Sequence, residues 1–412
     1  MNQPSSLRRL LLPLVPLYQL ALAFRELRLR PGLEPVQRLC YPVVSIGNLS
    51  TGGSGKTPLT IALAKALTAL GLHVDVLSRG YGRRSKLAAR VNPEGTAEDF
   101  GDEPLLIARE AGVPVYVAPR RYDAGLLAEA AQSLAGKEAS QVGQGLIDCC
   151  ISNLPVAAQE AHCSLAPRFS VGKADFAREL KSPVGTVQDI SFAGSNSPGI
   201  EPEESTRALA PEVCIHLLDD GFQHRQLARD VDILLLNSQD WQDRLLPAGN
   251  LREPLKAARR ASVIAIPVDD PELEADLRAW GWQKPIWRLR RRMEIPAVNG
   301  PVAAFCGIAR PEQFFAGLQA TGLRLVSRTA FPDHHRYATA DLNRLVVAAR
   351  AAGATALVTT GKDLVRLGKL ASFLPEFMPL MTAWLRVEIE DQAAALDWLV
   401  NRLAPGSTHP PL

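Results

Sequence analysis

The stretch SIGNLSTGGSGKTP, residues 45–58, follows an apolar run at 41–44, and its glycines, lysine and threonine are spaced as in a loop that holds phosphate. Gly52, Gly53 and Gly55 leave the backbone free to turn successive N–H groups toward one anion. In such loops a lysine placed like Lys56 reaches the β- and γ-phosphates, and a hydroxyl placed like that of Thr57 ligates magnesium. The strict pattern GxxxxGK[ST] requires glycine at position 50, where this chain has Ser50. Gly52, Gly53, Ser54, Gly55, Lys56 and Thr57 are therefore the expected ATP contacts, one residue off pattern. Residues 57–70 are apolar at helical spacing, so the loop opens a helix whose positive end faces the same anion.

Phosphate chemistry also needs acids and a base. VCIHLLDDGFQHRQLARD, 213–230, is an apolar strand ending in Asp219 and Asp220. An aspartate at that strand tip holds magnesium, usually through water, and two adjacent carboxylates require a cation. FGDEPLLIARE, 100–110, puts Asp102 and Glu103 at a helix start, where both also suit simple capping. FPDHHRY, 331–337, carries Asp333, His334 and His335 in one loop after a strand, a setting suited to proton transfer. SRGYGRR (78–84) offers Arg79, Tyr81 and Arg83, APRRYDAG (118–125) offers Arg120 and Arg121, and LLPAGNLREPL (245–255) offers Asn250 and Arg252. Such groups grip phosphates and sugars. All fall at the carboxyl ends of strands, where open α/β sheets bind ligands.

Strands and helices alternate along the chain, which predicts a parallel α/β architecture. Strands are expected at 42–46, 73–78, 113–118, 213–219, 231–236 and 262–267, with helices at 57–70, 103–111, 122–135 and 271–280. A second series places strands near 302–307, 324–330, 356–360 and 382–389, and helices near 311–321, 340–352 and 392–403. The reading is a nucleotide-binding domain over 31–285 and a smaller α/β domain over 286–412, entered through a linker strand. Residues 136–211 exceed what one crossover needs and are rich in Ser, Gly, Gln, Pro and Glu, so they read as an insertion.

A length of 412 residues suits two or three domains, and 47% hydrophobic residues suit a soluble globular protein. The net charge of +3 is too small to argue for a nucleic-acid partner. The six cysteines include no CxxC pair and no metal spacing, which favours a reduced setting. Residues 1–30 read as a separate element. Leu10 to Phe24 is mostly apolar and flanked by arginines, yet as a helix it spans only about 22 Å against a hydrocarbon core of about 30 Å. No small-residue cleavage site follows, so a signal peptide fits poorly. An interfacial helix on anionic headgroups and a helix packed on the protein's own core both fit this pattern.

Taken in order, IGNLSTGGSGKTP, SRGYGR, GDEP, LLDDGFQH, LPAGNLREP and FPDHH resemble the tetraacyldisaccharide 4′-kinases of lipid A biosynthesis. The resemblance runs from Ser6 to the C-terminal helix and includes the off-pattern phosphate loop. It implies a P-loop domain plus a smaller α/β domain, and an ATP- and magnesium-dependent kinase. The implied reaction phosphorylates the 4′-hydroxyl of a tetraacyldisaccharide 1-phosphate to give lipid IVA. The implied place is the cytoplasmic face of the inner membrane of a Gram-negative-type cell, on an anionic surface, with no obligate protein partner. Carried over by motif, Asp102 is the catalytic base, His334 its partner, and Lys56 the phosphate lysine. Thr57, Glu103, Asp219 and Asp220 fall to the metal, and Tyr81, Arg121, Gln223 and Asn250 to the lipid substrate. The insertion departs from the family pattern. Two rivals are a partitioning-type ATPase, which would carry lysine where this chain has Thr51, and a GTPase, whose NKxD motif is absent; TTGKD (359–363) has the wrong spacing.

Overall fold

A computed structural model describes residues 11–28, 36–53, 55–138 and 214–404. Ser54, residues 1–10 and nearly all of the expected insertion lie outside them. The strands are β1 (Val43–Asn48), β2 (His73–Ser78), β3 (Ala89–Arg90), β4 (Val115–Val117), β5 (Cys214–Asp219) and β6 (Val231–Leu235). They continue as β7 (Val263–Pro267), β8 (Ile286–Glu294), β9 (Val302–Cys306), β10 (Leu325–Ala330), β11 (Ala356–Thr360) and β12 (Leu380–Ile389). All twelve join one mixed sheet in the order β10-β9-β11-β12-β8-β7-β6-β1-β5-β2-β4-β3.

From β8 to β4 in that order, all neighbours are parallel, and β3 closes the edge antiparallel. β1 sits mid-sheet with all six residues buried, as helices covering both faces of a parallel sheet require. At the other end β10, β9, β11 and β12 are also parallel. The two parallel blocks meet at one antiparallel seam. The first part of β8 pairs with β7, and its second part, from Leu289 on, pairs with β12. The expected linker strand is thus a full member of the sheet, shared by both blocks.

The last helix, Gln392–Leu403, crosses the expected boundary as well. Its Leu396, Leu399 and Val400 are buried in the same core as Val44, Ile46 and Leu63 of the first block. Residues after 390 therefore stabilise the half that carries the phosphate loop.

The N-terminal helix, Val15–Arg28, has two faces. Val15, Tyr18 and Leu22 pack against a core that includes Leu49, Phe222 and Leu251. The Tyr18 hydroxyl donates to the Arg252 carbonyl at 2.9 Å. On the other side Leu17, Leu20 and Phe24 are 64%, 68% and 62% exposed. Core packing thus accounts for one face and leaves the other bare. Among the described residues no helix is long and apolar enough to cross a membrane.

A polar cluster is buried under the helix Arg121–Glu138. His216 Nδ1 lies 2.7 Å from Asp75 Oδ1 and Nε2 3.5 Å from Glu129 Oε1. Cys214 joins them, and Gln132 donates to both Asp75 (3.1 Å) and Cys214 (2.7 Å). Burial lowers the imidazole pKa, but Asp75 and Glu129 overcome it and raise it to about 9. The cluster ties β2, β5 and this helix together as an ion-paired network.

Candidate active site

The phosphate loop leaves β1 and enters the helix Lys56–Ala69. Gly47, near the end of β1, must be glycine because a Cβ there would lie 2.5 Å from that of Phe222. This nests β1 against the turn after Asp219 and Asp220. Gly55 caps the helix at φ +91°, and Gly52 sits at φ +113°. Gly53 departs from the expectation: its φ is not left-handed, and a Cβ there would meet open space.

Lys56 Nζ donates to Asn48 Oδ1 at 3.0 Å and lies 3.4 Å from Asp220 Oδ1. Thr57 is buried at the first turn of the helix. The loop is braced from outside by two expected substrate contacts. The Asn250 carbonyl accepts from Thr51 N at 2.8 Å, while Asn250 Nδ2 donates to Asp243 at 2.8 Å. Gln223 Nε2 donates to the Asn48 carbonyl at 2.7 Å.

The two strand-tip aspartates differ. Asp219 is buried and accepts from Thr60 Oγ1 at 3.4 Å. Burial, then the charges of Glu103 and Asp220, push its carboxyl up to about 7. Asp220 turns away at φ 49° and pairs with Lys56 and, at 3.1 Å, with Arg252. Burial works against its charge, but those two cations win and hold its pKa below the usual range. Arg121 is buried nearby, its Nε without a hydrogen-bond partner among the described residues, and burial lowers its pKa.

Opposite these groups, Asp102 opens the helix Asp102–Ala111. Its Oδ1 accepts from Glu103 N at 3.0 Å, and its Oδ2 lies 3.0 Å from His334 Nδ1 and accepts from Arg366 Nε at 2.8 Å. One oxygen of the carboxylate thus faces its own helix and the other faces His334 and Arg366. Burial disfavours the Asp102 charge, but His334, Arg366 and Lys362 outweigh it and hold the carboxyl far below its ordinary pKa. The same hydrogen bond raises the pKa of His334. The exposed Tyr81 ring lies 5.6 Å from that imidazole. Among the described residues, Asp220 and His334 are the two non-glycine residues with positive φ. Left-handed backbone is costly for residues with a Cβ and is held by the surrounding structure at functional sites.

A model of the family described as tetraacyldisaccharide-1-P 4′-kinase matches residues 7–136 and 204–404. The chain belongs to that family. The match breaks across the segment that reads as an insertion in the sequence. A tetraacyldisaccharide 4′-kinase of Koribacter versatilis is 34% identical over 393 residues, covering 94% of this chain and 97% of the relative. One from Chromobacterium violaceum is 31% identical, covering 88% and 85%. The crystal structure of LpxK from Aquifex aeolicus in complex with ATP aligns with a TM-score of 0.62 at 28% identity, over 97% of this chain and all of that one. The chain is accordingly a kinase, a phosphotransferase with an alcohol group as acceptor.

This kinase site contains four cations that sequence reasoning did not assign. Lys362 donates to Glu103, and Arg366 binds Asp102, the Gly307 carbonyl and Asp363. Both come from the helix Gly361–Leu367; Lys362 lies inside the TTGKD stretch (359–363), which has the wrong spacing for a guanine motif, and Arg366 one turn further on. The available signal was their i, i+4 spacing, which puts two cations on one helical face. Arg291 of β8 and Arg310 reach the phosphate loop from the second block. A Cβ on Gly55 would lie 3.3 Å from Arg291 Nη2, and one on Gly52 3.8 Å from Arg310 Nε. Burial and the neighbouring Arg310 charge lower the pKa of Arg291, so two like charges are held together beside an anion-binding loop.

Proposed function

We propose that this chain phosphorylates the 4′-hydroxyl of a tetraacyldisaccharide 1-phosphate with ATP, giving lipid IVA, at the cytoplasmic face of the inner membrane. The observation that carries the reading is the Asp102–His334 pair, joined across the two blocks beside a phosphate loop bearing Lys56. In this reading residues 31–285 are the nucleotide domain and 286–412 the smaller one, stitched together by β8 and the last helix.

The acceptor oxygen attacks the γ-phosphorus, the bond to the ADP oxygen breaks, and the hydroxyl proton leaves to the protein. A base works best with a pKa near the operating pH. Asp102 is held far below it and His334 above its ordinary value, so the two residues act together, with Asp102 staying ionised and fixing the imidazole. Lys56, Arg291 and Arg310 supply positive charge around the transferring group, the main source of catalysis in phosphoryl transfer.

Magnesium fits the donor set. The Thr57 hydroxyl and the carboxylates of Glu103, Asp219 and Asp220 are hard oxygens, and the Asp219 pKa is raised by burial first and then by the charges of Glu103 and Asp220. Those four residues would hold the ion, which when bound neutralises phosphate charge. Tyr81 and Arg121 face the acceptor, and Gln223 and Asn250 shape its side of the loop. The bare face of the N-terminal helix, with Arg25 and Arg28 beside it, suits peripheral attachment to an anionic bilayer.

The test is labelled ATP with tetraacyldisaccharide 1-phosphate in mixed micelles. A doubly phosphorylated lipid is expected, with negligible ATP hydrolysis when the acceptor is omitted. Equal hydrolysis without acceptor would instead favour an ATPase switch.

A further inference from the structure

Ser50 stands where the strict phosphate-loop pattern has glycine, and the proposed mechanism gives it no part. Its backbone has no need of glycine: φ is not left-handed, and the residue bridges Leu251 in antiparallel fashion. Its side chain is fully buried. It bonds on one side to Asn48, at the end of β1, and on the other to Asp240, in the first turn of the short helix Ser238–Trp241.

These bonds run in one direction. Lysine can only donate, so the Asn48 oxygen faces Lys56, at 3.0 Å. The Asn48 amide nitrogen then faces the other way, donating to the Ser50 carbonyl at 2.9 Å and to Ser50 Oγ at 3.2 Å. With its oxygen taken as an acceptor, the Ser50 hydroxyl turns its hydrogen to the Asp240 carboxylate. Lys56, Asn48, Ser50 and Asp240 form one chain of donors that ends on a carboxylate, and the bonds of such a chain strengthen one another.

We infer that Ser50 and Asp240 are positioning residues for Lys56, holding its ammonium on Asn48 and keeping it from closing on Asp220. The inference rests on the reading of Lys56 as the phosphate lysine. Asp220 Oδ1 already lies 3.4 Å from that ammonium, so an ion pair is the nearest alternative once the Asn48 bond is weakened. Asp240 is a firm anchor. β6 pairs with β1, with Leu235 opposite Asn48, and the helix that follows β6 brings Asp240 to the loop. The Asp240 N–H is itself held by Asn237 Oδ1 at 2.9 Å. Asp240 is 1% exposed, yet its Oδ2 has no hydrogen-bond partner among the described residues. A buried carboxylate left half satisfied costs stability, so stability alone does not account for it. Its charge also faces that of Arg310, which reaches the loop at Gly52. One carboxylate thus backs the lysine of the loop through two side chains and the arginine that covers the loop through its charge.

The experiment is isothermal titration of ATP with magnesium, without acceptor, into the full-length protein and its variants. Ser50→Ala and Asp240→Ala should each weaken ATP binding about tenfold, the scale of one hydrogen bond to a charged group. Asp240→Asn keeps an oxygen for the Ser50 hydroxyl and should recover most of the loss. Ser50→Gly restores the strict pattern and should weaken binding as Ser50→Ala does; wild-type affinity in that variant overturns the inference. In the Lys56→Ala background, Ser50→Ala should cause no further loss, because the group it positions is gone. An equal loss in both backgrounds means a general distortion of the loop and overturns the positioning role. If Asp240→Ala does not fold, the Ser50 variants decide alone. With acceptor present, kcat/KM for ATP should fall by the same factor while KM for the lipid holds, and a matching rise in the lipid KM overturns the inference. Failures at the two levels are separable. Unchanged ATP affinity in Lys56→Ala itself overturns the reading of that lysine, whereas a loss there with none in Ser50→Ala overturns the relay and leaves the lysine its role.

Discussion

His334 Nδ1 lies 3.0 Å from Asp102 Oδ2, joining residues 232 positions apart. One side of this contact is a helix N-terminus in the first block, and the other is a left-handed loop residue in the second. The second Asp102 oxygen accepts from the Glu103 N–H in the first turn of its own helix, so the carboxylate cannot swing away without losing that bond. In the proposed mechanism, proton transfer and docking of the two blocks are therefore one geometric condition.

If the pair acts as a unit, its members are not additive. Asp102→Asn and His334→Ala should each lower kcat by about 10²–10⁴, the usual range for a positioned acid–base group. The double variant should lose little more than the worse single one. Single-turnover rates at saturating ATP check this, and full additivity would show that the two act independently.

Arg366 holds Asp102 and Asp363 together in a nearly dry setting. Arg366→Ala takes the shared guanidinium from both buried carboxylates, leaving Asp102 with His334 and Asp363 with Tyr337, and should destabilise the fold by about 3–5 kcal/mol. Because the folded Asp102 pKa is depressed, its stabilisation is present above the unfolded value near 3.8 and is lost as pH falls through the folded one. Without Arg366 that loss should begin at higher pH, and the acid limb of kcat should move the same way. Urea unfolding at pH 4 and pH 7, with Arg366→Lys as control, measures it.

For Arg310 the expectation concerns the nucleotide. Arg310→Ala should raise KM for ATP about tenfold, as loss of a charged contact to phosphate does, and leave KM for the lipid unchanged. Isothermal titration with ATP and ADP would show whether the loss is larger for the triphosphate. An unchanged ATP affinity would mean that the guanidinium only covers the loop.

What the sequence made legible was local. β2, β11 and the helix Gln392–Leu403 stand at their expected bounds, because periodicity and punctuation are written in neighbouring residues. The phosphate loop was legible for the same reason. Arg366 was not: its meaning comes from a carboxylate 264 positions away, and on its own helix it resembles any solvated arginine. The seam was half legible. β8 was recognised as a strand between two blocks, but its antiparallel register with β12 depends on a partner that no local pattern names. β3, two residues long, is too short to carry a period.

His216 predicts a pH dependence of stability unrelated to catalysis. Its folded pKa is raised from 6.5 to about 9, so the stabilisation is fully present below 6.5 and lost as pH rises through about 9. The shift corresponds to about 3 kcal/mol at ~1.4 kcal/mol per unit. Chemical denaturation at pH 6, 7.5 and 9 should trace that loss. In His216→Gln the slope over this window should flatten, and an unchanged slope would place the titrating group elsewhere.

The last prediction concerns the bare helix face. Leu17, Leu20 and Phe24 point away from the core that takes Val15, Tyr18 and Leu22. Burying a large apolar side chain contributes about 1.5–3 kcal/mol, so three of them suffice for reversible attachment. Leu17→Glu with Leu20→Glu should leave thermal stability nearly unchanged, since neither residue packs inward. The double variant should release the protein from vesicles containing phosphatidylglycerol and raise KM for the lipid. KM for ATP should hold, because the outward face does not meet the phosphate loop. Sedimentation with vesicles reads the first effect, and kinetics in vesicles against detergent micelles reads the second. If the variant still sediments with vesicles, the lipid contact lies on another surface and the bare face needs a different partner.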